Sequence, residues 1–211
     1  MNGADFSAWI RRAAELVTAD AERLTTLDAA IGDGDHGHNM ARGFAAAVAA
    51  VDELPEDVVP GRVLVAAGRA IVSKTGGASG PLYGTALRRA GKALGDVADV
   101  DVTGLAGALQ AALDGVRELG KAVEGDKTMV DALAPAVAAY EAAVENGADL
   151  ATAMQAAVDA GETGLEATAP LEARKGRASY LGPRSVGHLD PGAASTVLVL
   201  LALLDVARGE G

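Results

Sequence analysis

Val102-Thr-Gly-Leu-Ala-Gly-Ala-Leu-Gln-Ala-Ala-Leu-Asp-Gly-Val-Arg-Glu-Leu119 decides the fold class. Its apolar residues Leu105, Leu109, Ala112, Leu113 and Val116 recur three or four positions apart, the repeat of a helix face and not the alternation of a strand. The same repeat places Phe6, Trp9, Ile10, Ala13, Leu16 and Val17 on one face of Asp5–Ala19, and aligns Met40, Phe44, Ala47 and Val51 in His38–Val51. Helices are also expected over Gly61–Ser73, Leu82–Leu94, Val130–Glu145, Leu150–Leu165 and Gly192–Ala207, with a short segment at Ala21–Leu27. Pro191 suits the first turn of the last helix. Pro135 lacks the amide proton and should kink or restart the helix that contains it. Ala193–Leu204 is apolar nearly all round, which predicts burial among neighbouring helices. Val63-Leu-Val65 and Val197–Leu201 sit inside helical patterns, so no strand is expected.

Composition points the same way. The chain has 211 residues; 50% are hydrophobic but only 3% aromatic, and 48 are alanine, the best helix former. Eighteen Lys and Arg against 29 Asp and Glu give a net charge of −11, which disfavours nucleic acid and anionic membranes as partners. The absence of cysteine excludes disulfides, thiolate metal sites and cysteine catalysis. Met1–Arg12 lacks the basic-then-apolar pattern of a signal peptide. The most apolar run, Ala193–Leu204, is about half the length of a membrane span. The expectation is a cytoplasmic, single-domain, all-α protein over residues 1–211.

Four loops hold the unusual polar residues. Asp28-Ala-Ala-Ile-Gly-Asp-Gly-Asp-His-Gly37 carries three carboxylates that would repel one another if ionised and close. A hard divalent cation such as Mg²⁺ or Ca²⁺ relieves that repulsion, and the interleaved glycines allow the chain to fold tightly around it. The spacing is not that of an EF-hand. Asp-Gly turns also cap ordinary helices. Lys74-Thr-Gly-Gly-Ala-Ser-Gly-Pro81 offers small residues and a helix start to an anion, without the P-loop motif. Gly125-Asp-Lys-Thr-Met129 reads equally as a capped helix start, with Thr128 or Asp126 as cap. Arg174–Gly192 holds Lys175 and Arg177, cations able to pair with phosphate, and Asp190, able to cap the last helix. Carboxylates for cations, glycine-rich turns at helix starts and a few mobile cations are what phosphoryl transfer requires. A serine hydrolase is disfavoured by the lack of a Gly-x-Ser-x-Gly elbow.

Ile31-Gly-Asp-Gly-Asp-His-Gly37 with Asn39-Met40 resembles the signature of the nucleotide-binding L subunits of dihydroxyacetone kinase. Gly76-Gly-Ala-Ser-Gly-Pro81, Gly125-Asp-Lys-Thr-Met129, Arg177-Ala-Ser-Tyr-Leu-Gly182 and Gly187-His-Leu-Asp-Pro-Gly192 resemble that family too, in its order, over essentially the whole chain. The resemblance implies an antiparallel helical barrel or bundle of about eight helices, whose loops at one end hold ADP or ATP and two Mg²⁺ ions. It places metal ligands at Asp28, Asp33 and Asp35. It places nucleotide contacts at His36, Gly37, His38, Asn39, Ala78, Ser79, Gly120, Thr128, Met129, Arg177, Asp190, Pro191 and Gly192, with Arg177 a candidate charge stabiliser.

The resemblance further implies a separate cytoplasmic kinase subunit, since no dihydroxyacetone-binding domain is attached. In such systems ADP is a resident coenzyme. A phosphohistidine on a phosphotransferase-system M subunit would supply phosphate, and a K subunit would present dihydroxyacetone, giving dihydroxyacetone phosphate. A homodimer or a complex with those subunits is expected. His36 stands where related fatty acid kinase domains carry threonine, which favours the triose branch. Three alternatives remain at this stage: an ATP-dependent kinase for another ketose, a nucleotide-dependent module that meets a transcriptional regulator, and a calcium-stabilised helical domain.

Overall fold

In the computed structural model, which describes residues 1–210, nine α-helices follow one another and no strand occurs among the described residues. They are α1 (Gly3–Ala19), α2 (Ala21–Ile31), α3 (His36–Asp52), α4 (Pro60–Lys74), α5 (Ser79–Leu94), α6 (Val102–Gly120), α7 (Val130–Glu145), α8 (Leu150–Ala167) and α9 (Pro191–Ala207). A 3₁₀ segment, Arg177–Ser185, precedes α9 and is kinked at Gly182, where φ is 54°.

Eight of the helices close a ring. α1 packs on α3, each helix from α3 onward packs on the next, and α9 returns to α1. Short connections between successive helices from α3 to α8 favour antiparallel pairing of those neighbours, whereas a long one joins α8 to α9. The wall is therefore an eight-helix barrel, as the sequence predicts. α2 stands outside it, against α3 and α9. Its sequence signal is weak because it buries only Leu24, Asp28 and Ile31.

Side chains fill the interior. The α6 stripe is buried as its spacing requires, and α9 buries Pro191, Ala193, Ala194, Val197, Leu200 and Leu203 among others, having no polar face. Close contact between α4 and α5 needs glycine at matched positions. A Cβ on Gly68 would lie 2.7 Å from the Gly84 carbonyl oxygen, and one on Gly91 would lie 2.5 Å from that of Gly61. The two backbones touch there, which holds the α4–α5 loop at the barrel rim.

Pro135 does not restart α7: the helix runs without a break from Val130 to Glu145. Proline frees the Asp131 carbonyl from its normal helical partner, and α8 packs on that point through a glycine. A Cβ on Gly164 would lie 2.1 Å from the Asp131 carbonyl oxygen and 3.0 Å from Pro135 Cγ. α3 also starts earlier than the sequence suggests, at His36 and not His38. The Asp28 carboxylate caps it, Oδ2 accepting from Asp35 N at 2.9 Å and His36 N at 3.1 Å.

Candidate functional site

All four loops line one cleft of about 540 Å³ at the barrel rim, a size that suits a small organic ligand. Asp28, Asp33 and Asp35 lie on one side of it, each offering a carboxylate oxygen within 4.8 Å of the others'. The Asp-Gly-Asp turn brings them together: Gly34 adopts a left-handed φ of 72°, and Asp28 is held by the two amides that it caps. Asp35 is the residue before α3, and its side chain makes no capping bond, so it is free for another partner. Three hard oxygen donors without histidine or cysteine suit Mg²⁺ or Ca²⁺ in preference to zinc or copper. The residues present fit such an ion.

His36 is buried, and both ring nitrogens are engaged. Nδ1 lies 3.1 Å from Ser79 Oγ and Nε2 lies 2.8 Å from Ser195 Oγ. Ser195 Oγ is in turn 2.7 Å from the Tyr83 hydroxyl, which also meets Thr196 Oγ1 at 2.8 Å. Burial lowers the His36 pKa against the opposing effect of Asp28, Asp35 and a hydrogen bond with the Pro191 backbone. A neutral ring with both nitrogens occupied is a strut between α3, α5 and α9.

The remaining expected positions fall into two groups. Asn39, Ala78, Ser79, Gly120, Thr128, Met129, Arg177, Asp190, Pro191 and Gly192 line the cleft together with His36 and the aspartates. Gly37 and His38 do not line it. Gly37 is buried against α2, where a Cβ would lie 1.9 Å from the Ala21 carbonyl oxygen. The His38 side chain is exposed and turned to α2, with Nδ1 3.0 Å from Thr25 Oγ1. Its position in the first turn of α3, about one-third of a turn from its neighbours, rotates it away from the cleft. Arg177 Nε lies 3.0 Å from Asp33 Oδ2, so this cation meets the acidic cluster itself.

Asp190 caps α9, Oδ2 accepting from Ala193 N at 2.7 Å. Burial pushes its carboxyl up to about 7, with Asp131 adding to the effect and the Ala193 amide and Lys127 opposing it. Met129, not Thr128 or Asp126, precedes α7; Asp131 accepts from Thr128 N at 2.7 Å, while Thr128 Oγ1 accepts from Val130 N at 3.1 Å.

Four functional features were not legible in the sequence. Lys127 is 1% exposed and donates to the Thr168 carbonyl at 2.8 Å, the Leu171 carbonyl at 3.1 Å and the His188 carbonyl, tying the long α8–α9 connection to the α6–α7 loop. A lysine in a Gly-Asp-Lys-Thr loop reads as a surface residue, and only the fold gives it these acceptors. Tyr83 and Ser195 complete the His36 strut. Leu82, Val116, Leu119, Ala122 and Val130, with Met129, give the cleft an apolar lining beside its aspartates. Arg42 holds Asn39 and the end of α4.

Fold and site together define an all-helical barrel with a half-apolar cleft at its rim and an acidic, cation-fitting cluster at one side of it. Residues 30–205 match the family model described as the DAK2 domain. The chain is 45% identical to the ADP-binding subunit of a PEP-dependent dihydroxyacetone kinase of Listeria innocua, over 93% of this chain and 92% of that protein. It is 39% identical to the corresponding Escherichia coli subunit, over 96% of this chain and 95% of that one. The dihydroxyacetone kinase of C. freundii, solved in complex with AMP-PNP and Mg²⁺, superposes with a TM-score of 0.73 at 27% identity, covering 96% of this chain and 34% of that chain. The chain thus belongs to the DAK2 domain family; it spans more than nine-tenths of these two ADP-binding-subunit relatives and about a third of that kinase.

Proposed function

We propose that residues 1–211 form one nucleotide-binding domain, the ADP-binding subunit of a dihydroxyacetone kinase. The observation that carries this reading is the convergence of Asp28, Asp33 and Asp35 in a cleft that apolar side chains also line. A protein of net charge −11 can hold a diphosphate only where cations offset the repulsion. The three aspartates would hold Mg²⁺, two ions by family resemblance, which supplies charge neutralisation to the phosphate oxygens.

The chain's own groups divide the rest of the work. Ser79 Oγ, braced by His36, and the first amides of α5 would face the phosphate side, where a helix N-terminus favours negative charge. Met129, Val116, Leu82 and Val130 would pack on the purine, with Gly120 and Thr128 beside it. Asp190-Pro-Gly192 would close the phosphate side, with its α9 cap already satisfied. Arg177, on the exposed 3₁₀ segment, would exchange Asp33 for phosphate oxygen. In the complete system, bound ADP would take a phosphoryl group from a phosphohistidine of an M subunit and yield it to a hydroxyl of dihydroxyacetone on a K subunit.

Thermal melting tests the reading. Protein shown free of carried-over nucleotide should melt higher as ADP is raised in the presence of Mg²⁺, by about 2.7 kcal/mol of added stability at a hundredfold excess over Kd. Asp35→Ala should abolish that rise while keeping the helical circular dichroism. An unchanged melting temperature at saturating ADP would end the proposal. Reconstitution with candidate K and M subunits, with phosphoenolpyruvate or ATP as the ultimate donor, then decides the route of the phosphate.

A further inference from the structure

Asn39 lines the cleft beside the acidic cluster and is only 5% exposed. A side-chain amide in such a place has two opposite uses. With Nδ2 toward the cleft it attracts an anion; with Oδ1 toward the cleft it adds an acceptor to three carboxylates and repels one. Asparagine has no intrinsic preference between these orientations, so a neighbour must set it.

Arg42, one turn along α3, is that neighbour. Its Nη2 donates to Asn39 Oδ1, and its Nε donates at 2.9 Å to the Lys74 carbonyl at the end of α4. A guanidinium has donors and no acceptor, so only the oxygen of the amide can face it. Gly76 leaves room for the amide plane: a Cβ there would lie 2.9 Å from Oδ1 and 3.1 Å from Nδ2. Nδ2 has no protein acceptor. The buried side-chain polar atoms without a partner among the described residues are Thr75 Oγ1 and Arg117 Nε. Nδ2 is thus open to the cleft that Asn39 lines.

We infer that Arg42 is a positioning residue that locks the Asn39 amide with its donor face toward a bound phosphate. The side chain of Arg42 is itself exposed and outside the cleft, and it acts through Asn39. Its second bond to the Lys74 carbonyl holds the guanidinium in plane and ties the lock to the glycine-rich loop. The inference rests on the nucleotide reading above and goes beyond it in naming what gives this acidic rim a fixed anion donor.

Four variants separate orientation from charge. Arg42→Gln keeps a donor for Asn39 Oδ1 without the charge; Arg42→Ala removes both; Arg42→Glu accepts from Nδ2 and turns the amide over; Asn39→Ala removes the amide. Titration calorimetry with ADP in excess Mg²⁺ should show Arg42→Ala binding about tenfold more weakly than wild type, Arg42→Gln within about threefold, and Arg42→Glu weaker than Arg42→Ala. The double variant with Asn39→Ala should be no weaker than Asn39→Ala alone, because Arg42 acts through that amide. The Asn39 side-chain amide signals in a ¹H–¹⁵N spectrum of nucleotide-free protein should move in Arg42→Glu and stay near their wild-type positions in Arg42→Gln.

If Arg42→Gln loses as much affinity as Arg42→Ala, or the double variant shows additive losses, charge and not amide orientation is responsible and the inference falls. Wild type that binds Mg-ADP alongside variants of equal affinity overturns it while leaving the functional reading intact. Wild type that does not bind overturns both.

Discussion

Arg177 Nε and Asp33 Oδ2 stand 3.0 Å apart, so the 3₁₀ segment is tethered to the cluster that fits a cation. Both side chains are well exposed, at 70% and 39%, and such a pair contributes at most about 1 kcal/mol to stability. Its consequence is competition: a cation and the guanidinium want the same carboxylate. Arg177→Ala should bind Mg²⁺ alone up to about fivefold more tightly than wild type, yet bind Mg-ADP less tightly if Arg177 moves to phosphate. Calorimetry with each ligand checks this, and weaker binding of Mg²⁺ alone by the variant would contradict it.

The His36 strut makes a second prediction. Ser195→Ala removes the hydroxyl between Nε2 and Tyr83. The buried ring then loses its side-chain partner at Nε2, and the loss should be about 1–2 kcal/mol by urea denaturation. Ser79 keeps its bond to Nδ1, but to a ring no longer fixed at its far nitrogen, so ADP affinity should fall several-fold. Tyr83→Phe, which leaves His36–Ser195 intact, should perturb nucleotide binding less. Equal effects from the two substitutions would show that the strut is not directional.

Lys127 joins loops far apart in sequence through three carbonyls, and its conversion to methionine should cost about 2–4 kcal/mol by leaving those acceptors without a donor. Burial pushes the ammonium below its usual range, with Asp190 and Asp131 opposing, so some cost of burying the charge is recovered. Limited proteolysis should show new cleavage between residues 168 and 190 in Lys127→Met. A variant as stable and as protease-resistant as wild type would mean that the carbonyls find water instead.

Asp190 predicts a pH dependence. Its carboxyl, ordinarily near 3.8, is raised to about 7 in the folded chain, so between about pH 4 and 7 the folded state holds a proton that the unfolded state has released. Its contribution to stability is therefore present at low pH and lost as pH rises through that window. Asp190→Asn keeps a capping oxygen for Ala193 without the titration. Measured without nucleotide or metal, the stability of the variant relative to wild type should grow from pH 4 to 7, by up to about 4 kcal/mol. A flat difference, or one of opposite slope, would place the Asp190 carboxyl in its ordinary range.

The cation-fitting cluster was readable because it is local: Asp33 and Asp35 belong to one glycine-bearing turn, and Asp28 stands in the last turn of the helix that leads into it. Periodicity revealed eight wall helices for a similar reason, since each apolar stripe is a property of its own segment. Gly37 and His38 show the limit. They adjoin cleft residues in sequence, but rotation within the first turn of α3 sends one into α2 and the other to solvent. The close approach of Gly164, on another helix, to the Asp131 carbonyl that Pro135 frees is a contact that no reading of Pro135 in its own segment can supply.

By itself, the sequence determined the all-α class, the acidic turn and the four loops that bear the polar residues, because these follow from propensity, periodicity and local chain reversal. Closure of the barrel decided the rest. It set His36 against Ser195 across 159 positions, gave Lys127 its acceptors and brought apolar side chains into the same cleft as the aspartates. Those pairings come from which helix faces meet when apolar stripes are buried together, a quantity shared among distant segments and carried by none of them alone.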